Sequence, residues 1–301
     1  MLRIESPALL VDLLPEVGGK LGQIRDRVSD RELLIGPQKP YRTIPSDGEW
    51  ILYDTSGMDD CFPNIAAGPY PAEPWTDLHL LDLGEWTHGV WDVVEAGTDR
   101  VVLERPGHAL PYFARKTVRF AGERTVELSY FVENRGPAPL CYMWAAHPLI
   151  AVEGPYELKL PEGRLTYRTF PYDEQEHIWP QFESMDFTRE WIARGKDLKV
   201  FVSGLAEGWC ELHLPEHTLR FTFDLKTTPV VGIWFNNFGF PTDGPPFRCV
   251  AVEPCTSISD ALDDLPASAY SSIAVGGSAS WSLSLEINAA TSERRTVPAG
   301  V

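Results

Sequence analysis

Two residues of this chain join a chemically useful side chain to an unusual setting. Glu253 lies in VAVEPCT, where apolar residues surround one carboxylate, and His147 lies in YMWAAHPLI after an apolar run. Partial burial raises the pKa of a carboxylate and makes it a better base, and histidine exchanges protons near neutral pH. Taken alone, each also fits a structural role, Glu253 in a surface salt bridge and His147 as a core histidine bonded to backbone.

A second group of polar and aromatic residues lies in the segments GMDDCFPNIAAGPYP, LHLLDLGEWTHGVWDV and GIWFNNFGFPTDG. Aromatic rings cover the apolar faces of sugars, while carboxylates, amides and histidines bind sugar hydroxyls, so such a groove suits a neutral polyol. Turn capping and calcium binding are the alternatives, although no EF-hand spacing supports calcium. The candidates for substrate binding are Asp59, Asp60, Glu85, Trp86, His88, Trp234 and Asn236.

The elements that must position these residues are predicted to be strands. TLRFTFDL, SWSLSLEI and TVELSYFVEN alternate apolar and polar residues, and each is bounded by turn residues. Pro254 is expected to end its strand, which would place Glu253 at the mouth of that strand. A helical signal occurs only in SISDALDDLPASAY, where one or two turns are expected before Pro266.

The pattern as a whole predicts an all-β fold, a large antiparallel β-sandwich with few short helices. The chain has 301 residues, 26 prolines and 24 glycines, which indicate many turns and long loops. We expect a single domain over residues 1–290 and a disordered tail over residues 291–301.

Composition excludes several classes of function. A net charge of −17 opposes binding to nucleic acid or to anionic membranes. Five widely spaced cysteines predict neither a disulfide framework nor a structural zinc site. The first residues lack the apolar core of a signal peptide, so we expect a cytoplasmic protein without a membrane span. No GxGxxG, P-loop, GxSxG or HExxH motif occurs, and we expect no cofactor and no metal.

Taken in order, several motifs resemble the aldose 1-epimerase (galactose mutarotase-like) superfamily. They are LPEVGGKLGQIRDRVSDRELLI, GMDDCFPNIAAGPYP, GEWTHGVWDV, WAAHPLI, FDLKTTPVVGIWFNN and VAVEPCTSISDAL, and they span roughly residues 5 to 290. The resemblance implies a sandwich with a sugar cleft on one sheet, His147 as general acid and Glu253 as general base. It also makes Lys20 and Arg25 candidates for holding the sugar.

The chain departs from the pattern of that superfamily at two places. Many members carry a second histidine in a DHG motif, and Leu83 occupies that position here, with His79 or His88 as possible substitutes. The Asn that often precedes the catalytic histidine is also absent. The change at Leu83 motivates the alternative of a protein that binds a sugar without turning it over.

The implied function is interconversion of the anomers of a free sugar by an enzyme that acts as a monomer or homodimer. The base takes the proton of the C1 hydroxyl while the acid protonates the ring oxygen, and an acidic surround would favour a charged His147. Two alternatives remain. The first is a non-catalytic carbohydrate-binding protein. The second is a sugar-phosphate (hexose-6-phosphate) epimerase, which would need cleft arginines such as Arg115, Arg119, Arg164 and Arg168.

Overall fold

The computed structural model describes residues 1–167, 176–182, 185–189, 191–264 and 270–290. Within these ranges the regular elements are strands and two short 3-10 turns, Trp50–Leu52 and Glu85–Thr87. No helix in the described ranges is long and apolar enough to cross a membrane. The tail predicted over residues 291–301 lies outside the described residues.

The strands are numbered in chain order. The first thirteen are Leu2–Glu5 (β1), Leu9–Leu14 (β2), Lys20–Asp26 (β3), Arg31–Glu32 (β4), Met58–Cys61 (β5), Gly68–Pro69 (β6), His79–Leu80 (β7), Asp92–Ala96 (β8), Arg100–Pro106 (β9), Tyr112–Gly122 (β10), Thr125–Asn134 (β11), Leu140–Tyr142 (β12) and Ala145–Ala151 (β13). The others are Glu157–Lys159 (β14), Arg164–Tyr167 (β15), Glu176–Ile178 (β16), Gln181–Phe182 (β17), Met185–Asp186 (β18), Lys196–Ser203 (β19), Trp209–His213 (β20), His217–Phe223 (β21), Val230–Asn237 (β22), Arg248–Cys255 (β23), Ser271–Ile273 (β24) and Ser278–Ala289 (β25).

Two large antiparallel sheets form most of the described structure, beside three two-stranded sheets, β6-β7, β12-β24 and β17-β18. The first has eleven strands in the order β1-β2-β3-β5-β13-β23-β22-β19-β15-β16, with β4 paired to β3. The second has eight strands in the order β14-β20-β21-β25-β11-β10-β9-β8. Apolar residues of both sheets pack into one core cluster, as in a β-sandwich. The predicted fold class is therefore confirmed, whereas the single domain over residues 1–290 stays a prediction.

The predicted alternation is present in the eight-stranded sheet. In β25, Trp281, Leu283, Leu285 and Ile287 are buried between less buried residues, and β11 alternates over its whole length. Because successive side chains of a strand point to opposite faces, this pattern buries one face against the other sheet.

Two local predictions were wrong. Strand β23 continues beyond Pro254, which pairs with Val231, and ends at Cys255. Glu253 therefore lies inside the sheet with no exposed surface. The described part of SISDALDDLPASAY forms bends and a turn, without a helix. The side chains of Ser257 and Ser259 accept hydrogen bonds from backbone N–H groups two residues ahead, which offers the chain an alternative to helical bonds.

A buried ion pair between an aspartate and a lysine lies between the two sheets. Asp60 of β5 forms an ion pair with Lys116 of β10, and the hydroxyl of Tyr130 donates to the same carboxylate at 2.6 Å. All three side chains are almost fully buried, and Lys116 also donates to the backbone oxygen of Gly19 at 3.0 Å. The buried carboxylate is stable as an anion because a cation and a hydroxyl both contact it.

Replacing Asp60 with Asn should destabilise the protein by about 3–5 kcal/mol, because Lys116 would be left as a buried cation without its counter-ion. Urea denaturation monitored by tryptophan fluorescence measures the change. The control is Glu95→Gln, which breaks an ion pair with Arg100 whose side chains are about half exposed and should cost less than about 1 kcal/mol. Equal losses in the two variants would contradict this account of Asp60.

Candidate active site

Four ionisable side chains form a row across neighbouring strands of the eleven-stranded sheet. Pairing of Leu21 with Met58 sets Lys20 beside Asp59, and Asp59 pairs directly with His147. Strands β13 and β23 pair at Ala145–Cys255 and at Leu149–Ala251, so the register between these pairs sets His147 opposite Glu253. We call Lys20, Asp59, His147 and Glu253 the site row.

The site row lies on the face of the sheet that points away from the main core. Met58 and Val252 belong to the core cluster between the sheets, so the next residues, Asp59 and Glu253, point to the opposite face. The predicted neighbourhood of His147 and Glu253 is thus present, and it follows from strand pairing between segments about one hundred residues apart in the chain.

His147 and Glu253 approach each other closely. Nε2 of His147 lies 3.8 Å from Oε1 of Glu253. The other oxygen of Glu253, Oε2, accepts a hydrogen bond of 2.7 Å from Nζ of Lys199 on β19. The same Nζ donates to Oδ1 of Asp260 at 2.8 Å. This separation leaves no room for a sugar ring between His147 and Glu253.

Aromatic side chains cover this pair. The ring of Trp234 is roughly parallel to that of His147 at 6.1 Å, and the ring of Trp50 meets it edge-on at 6.4 Å. Phe240 contacts both tryptophans, with ring centroids 5.5 Å and 6.3 Å away. Trp234 therefore lies beside His147, whereas Trp50 and Phe240 were not among the predicted binding residues, although Phe240 belongs to the candidate segment GIWFNNFGFPTDG.

Three buried polar atoms at the site lack partners. Nδ1 of His147, Oε1 of Glu253 and Nε1 of Trp50 make no hydrogen bond to any described residue. Buried polar atoms are normally satisfied, and each unsatisfied atom costs about 1–3 kcal/mol. Because two of these atoms belong to the paired His147 and Glu253, we treat this place as the candidate site.

The ionisation of the pair differs from our expectation. Burial, with a smaller contribution from the positive charge of Lys199, lowers the pKa of His147 to about 4, although Asp59 and Asp260 oppose this shift. The imidazole is thus neutral at pH 7 in the free protein, so the acidic surround does not keep it charged. Burial raises the pKa of Glu253, and Lys199 acts in the opposite direction.

The other end of the site row is tied to the loop over residues 37–57. Nζ of Lys20 lies 3.2 Å from Oδ2 of Asp59 and donates to the backbone oxygens of Asp54 and Ser56 at 3.2 and 2.8 Å. This loop also carries Trp50. Lys20 and Asp59 therefore lie in the site row with protein groups as partners, and their contacts fix the loop that covers His147.

Three predicted binding residues lie elsewhere. Asp60 points between the sheets toward Lys116, because it is the next residue after Asp59 on the same strand. The carboxylate of Glu85 accepts three backbone N–H bonds from residues 108–110 and a bond from Tyr112, which organises that turn. Trp86 has no exposed surface and stacks on Phe62, Tyr130 and Trp281 in the core.

Three more predicted residues also act within the fold. Both ring nitrogens of His88 face protein groups, Nδ1 the Thr87 hydroxyl at 3.0 Å and the backbone oxygen of Gly84 at 2.7 Å, and Nε2 the backbone oxygen of Gly48 at 3.0 Å. The amide of Asn236 bonds to backbone groups of Phe240 and Phe247, and so shapes the loop that carries Phe240. Arg25, five residues after Lys20, forms an ion pair with Asp30 near the surface.

Leu83 occupies the position of the expected second histidine and joins an apolar cluster beside the site. This cluster contains Ile44, Trp50, Cys61, Ile65, Leu83, Ala145, Phe201, Val230 and Cys255. Leu83 has a φ of 58°, a left-handed conformation that is unusual for leucine. Neither of the two histidines proposed to replace the missing one contacts His147. His88 faces backbone oxygens, and His79 is exposed on β7.

Of the four arginines named for a phosphate, the three that the structure describes lie outside the site. Arg115 pairs with Glu104 and Arg119 pairs with Glu127, all on the eight-stranded sheet. Arg164 lies on β15, three strands from β23 in the first sheet, and Arg168 lies outside the described residues.

A cavity of about 460 Å³ lies next to Arg115, Ser129 and Ser282, on the second sheet, so it is separate from the site row. In the described ranges, no group of three His, Cys, Asp or Glu residues is placed to hold a metal.

Among the charged residues of the site, Lys199 and Asp260 are the two that sequence reasoning missed. Lys199 lies in DLKVF, an ordinary strand segment, and Asp260 lies in the segment after β23. The one available signal was alternation, which places Lys199 on the same face of its strand as Phe201. That signal becomes specific only when the order of the strands is known.

No protein-family model and no curated protein sequence matches the chain. Several solved structures, in contrast, are similar to the chain over nearly its whole length. A galactose mutarotase-like protein from Lactobacillus casei has 15% identity and a TM-score of 0.69, over 96% of this chain and 100% of that chain. A galactose mutarotase related enzyme from Lactobacillus acidophilus has 13% identity and a TM-score of 0.73, over 96% and 98%. An aldose epimerase homologue from C. elegans has 14% identity and a TM-score of 0.71, over 96% and 99%. The chain therefore has the galactose mutarotase-like fold, which confirms the resemblance at the level of the fold.

The ring of His147 should titrate with a midpoint near pH 4, because burial and Lys199 disfavour its charged form. NMR of the assigned histidine ring protons between pH 3 and 8 measures this midpoint. Asp260→Asn should move it lower still, since the Asp260 carboxylate favours the charged imidazole. A midpoint near the ordinary value of 6.5 in the unmodified protein would contradict the burial of this side chain.

Proposed function

We propose that the chain is an aldose 1-epimerase-like isomerase that interconverts the anomers of a free sugar. The observation that carries this proposal is the close pair of Glu253 and His147 together with unpaired buried atoms on both and on Trp50. A sugar supplies hydroxyl groups for those atoms and an apolar ring face for Trp234 or Trp50. The fold of the neighbouring structures supports the same conclusion.

Glu253 is the proposed base and His147 the proposed acid. Oε1 of Glu253 takes the proton of the C1 hydroxyl, and the imidazolium of His147 protonates the ring oxygen, which opens the ring to the aldehyde. Rotation about the C1–C2 bond and closure with the roles reversed give the other anomer. The two sugar oxygens share one carbon, so a single sugar can bond to both side chains once one of the aromatic rings that cover the buried pair moves aside.

Charge at the site favours a neutral sugar over a sugar phosphate. The two cations of the site, Lys20 and Lys199, are already paired with carboxylates, and Arg115 and Arg119 are paired on the other sheet. A phosphate would therefore find no unpaired cation among these residues. A non-catalytic sugar-binding protein is the second candidate, because Leu83 supplies no polar group where the superfamily often has a histidine.

Glu253→Gln should reduce the acceleration of anomer exchange by about 10²–10⁴-fold, because an amide cannot take the hydroxyl proton. NMR exchange spectroscopy across a panel of free and phosphorylated aldoses measures the rate, and circular dichroism checks the fold. Glu133→Gln, at a more exposed glutamate, is the matched control and should keep the full rate. Undiminished acceleration in Glu253→Gln would contradict the assignment of the base. Sugar binding by calorimetry without acceleration by the unmodified protein would favour the second candidate.

The pH optimum of the reaction should lie on the acid side of neutrality. The proposed acid is the imidazolium of His147, whose pKa is about 4, so its charged fraction rises about tenfold per unit as the pH falls toward that value. Protonation of Glu253 ends the rise, because the base must be ionised. Rates corrected for uncatalysed exchange between pH 4 and 9 give the profile. A rate that increases steadily above pH 8 would contradict the assignment of His147 as acid.

A further inference from the structure

Lys199 has an unusual path to the site. It lies on β19, while Glu253 lies on β23, and β22 runs between these two strands. Its ammonium nevertheless reaches Oε2 of Glu253 at 2.7 Å and Oδ1 of Asp260 at 2.8 Å. The lysine side chain thus crosses a whole strand to bind two carboxylates.

A glycine on the intervening strand leaves the space for this crossing. Gly232 pairs with Phe201 on one side and with Glu253 on the other. A Cβ at this position would lie 3.4 Å from Cε of Lys199, 3.4 Å from Cβ of Glu253 and 3.2 Å from the ring of Phe201. A larger side chain would occupy the volume that Lys199 uses.

The contact of Lys199 distinguishes the two oxygens of Glu253. Oε2 is occupied by the ammonium, whereas Oε1 has no hydrogen bond within the described residues and is 3.8 Å from Nε2 of His147. We propose that Lys199 is a positioning residue that binds Oε2 of Glu253, leaves Oε1 as the proton acceptor beside His147, and is itself held in place by Asp260. This proposal rests on the proposed function, since it names what orients the base.

The charge of Lys199 also keeps Glu253 ionised. Burial opposes ionisation of the carboxylate, and the lysine is the group that favours it. The other titratable groups around Glu253 do not supply a cation at neutral pH. They are His147, Asp260, Cys61, Cys249 and Cys255, and burial raises the pKa of each of the three thiols.

Lys199 is unsuited to other catalytic roles. Its carboxylate partners raise its pKa above the ordinary value although burial acts against this, so the amine stays protonated and is not a nucleophile. Two of its three donors are used by Glu253 and Asp260. Its contribution is therefore to hold the base and its charge.

The first test measures the ionisation of Glu253 without reference to activity. In Lys199→Met the carboxyl group should be protonated at pH 7, and infrared difference spectroscopy should show the C=O band of a protonated acid. The band should be absent from the unmodified protein and from the double variant Lys199→Met/Glu253→Gln. Lys196→Met, at an exposed lysine of the same strand, is the control and should show no such band. A carboxylate that stays ionised in Lys199→Met would overturn the proposal.

The second test is the pH profile of anomer exchange. Loss of the cation raises the pKa of both Glu253 and His147, so Lys199→Met should move the optimum of the reaction to higher pH. A structural role alone would lower the rate equally at every pH. A profile with an unmoved optimum would thus overturn the positioning role.

If Lys199→Met does not fold, Lys199→Gln provides the same tests, because its amide can still donate to Oε2 without carrying charge. Lys199→Gln should produce a weaker infrared band and a smaller shift of the pH optimum than Lys199→Met, both in the same direction. The two proposals can fail separately. Should the unmodified protein accelerate no sugar, the proposed function fails, while the infrared band still decides whether Lys199 controls the ionisation of Glu253.

Discussion

Three buried carboxylates are each paired with a buried lysine, and the arrangement of the two faces of the eleven-stranded sheet depends on these pairs. Asp60 pairs with Lys116 between the sheets, Asp59 with Lys20 and Glu253 with Lys199 on the opposite face. A carboxylate without exposed surface is stable as an anion only when a cation or several donors compensate for lost hydration. Each lysine comes from a different strand, so every pair also ties strands together.

The adjacent residues Asp59 and Asp60 show how one strand can serve two purposes. Strand β5 lies between β3 and β13, and its side chains alternate between the two faces. Asp59 joins the site row, while Asp60 reaches Lys116 and Tyr130 on the other sheet. The anchoring of the site strand to the second sheet therefore comes from the residue next to a site residue, which leaves the position of His147 less dependent on the loops above it.

Sequence reasoning could predict both the fold class and the pair of His147 and Glu253, but each prediction used a different kind of information. Alternation in β11, β21 and β25 is a local property, so these strands are visible without partners. The meeting of His147 with Glu253 came from a resemblance in motif order, and the structure explains it by strand register.

Other features of the site depend on strand order and loop structure, which a local pattern does not contain. Lys199 acts on Glu253 from two strands away, and that relation needs the order β23-β22-β19 together with a glycine at position 232. The role of a polar loop residue is equally hard to predict from a local pattern. Glu85 and Asn236 bond to backbone groups, yet the same residue types also bind sugar hydroxyls.

The charge balance around Glu253 limits which ligands the site can accept. Lys20 and Lys199 contribute two positive charges, while Asp59, Glu253 and Asp260 contribute three negative charges, and His147 is neutral at pH 7. The local excess is one negative charge, in a chain whose net charge is −17. An anionic ligand would meet repulsion that burial strengthens, because charges interact more strongly in a low dielectric. A neutral ligand with many hydroxyl groups avoids that repulsion and can satisfy the unpaired atoms of His147, Glu253 and Trp50. The lysines that stabilise the buried carboxylates therefore also favour a neutral substrate, because their positive charges are already balanced by those carboxylates.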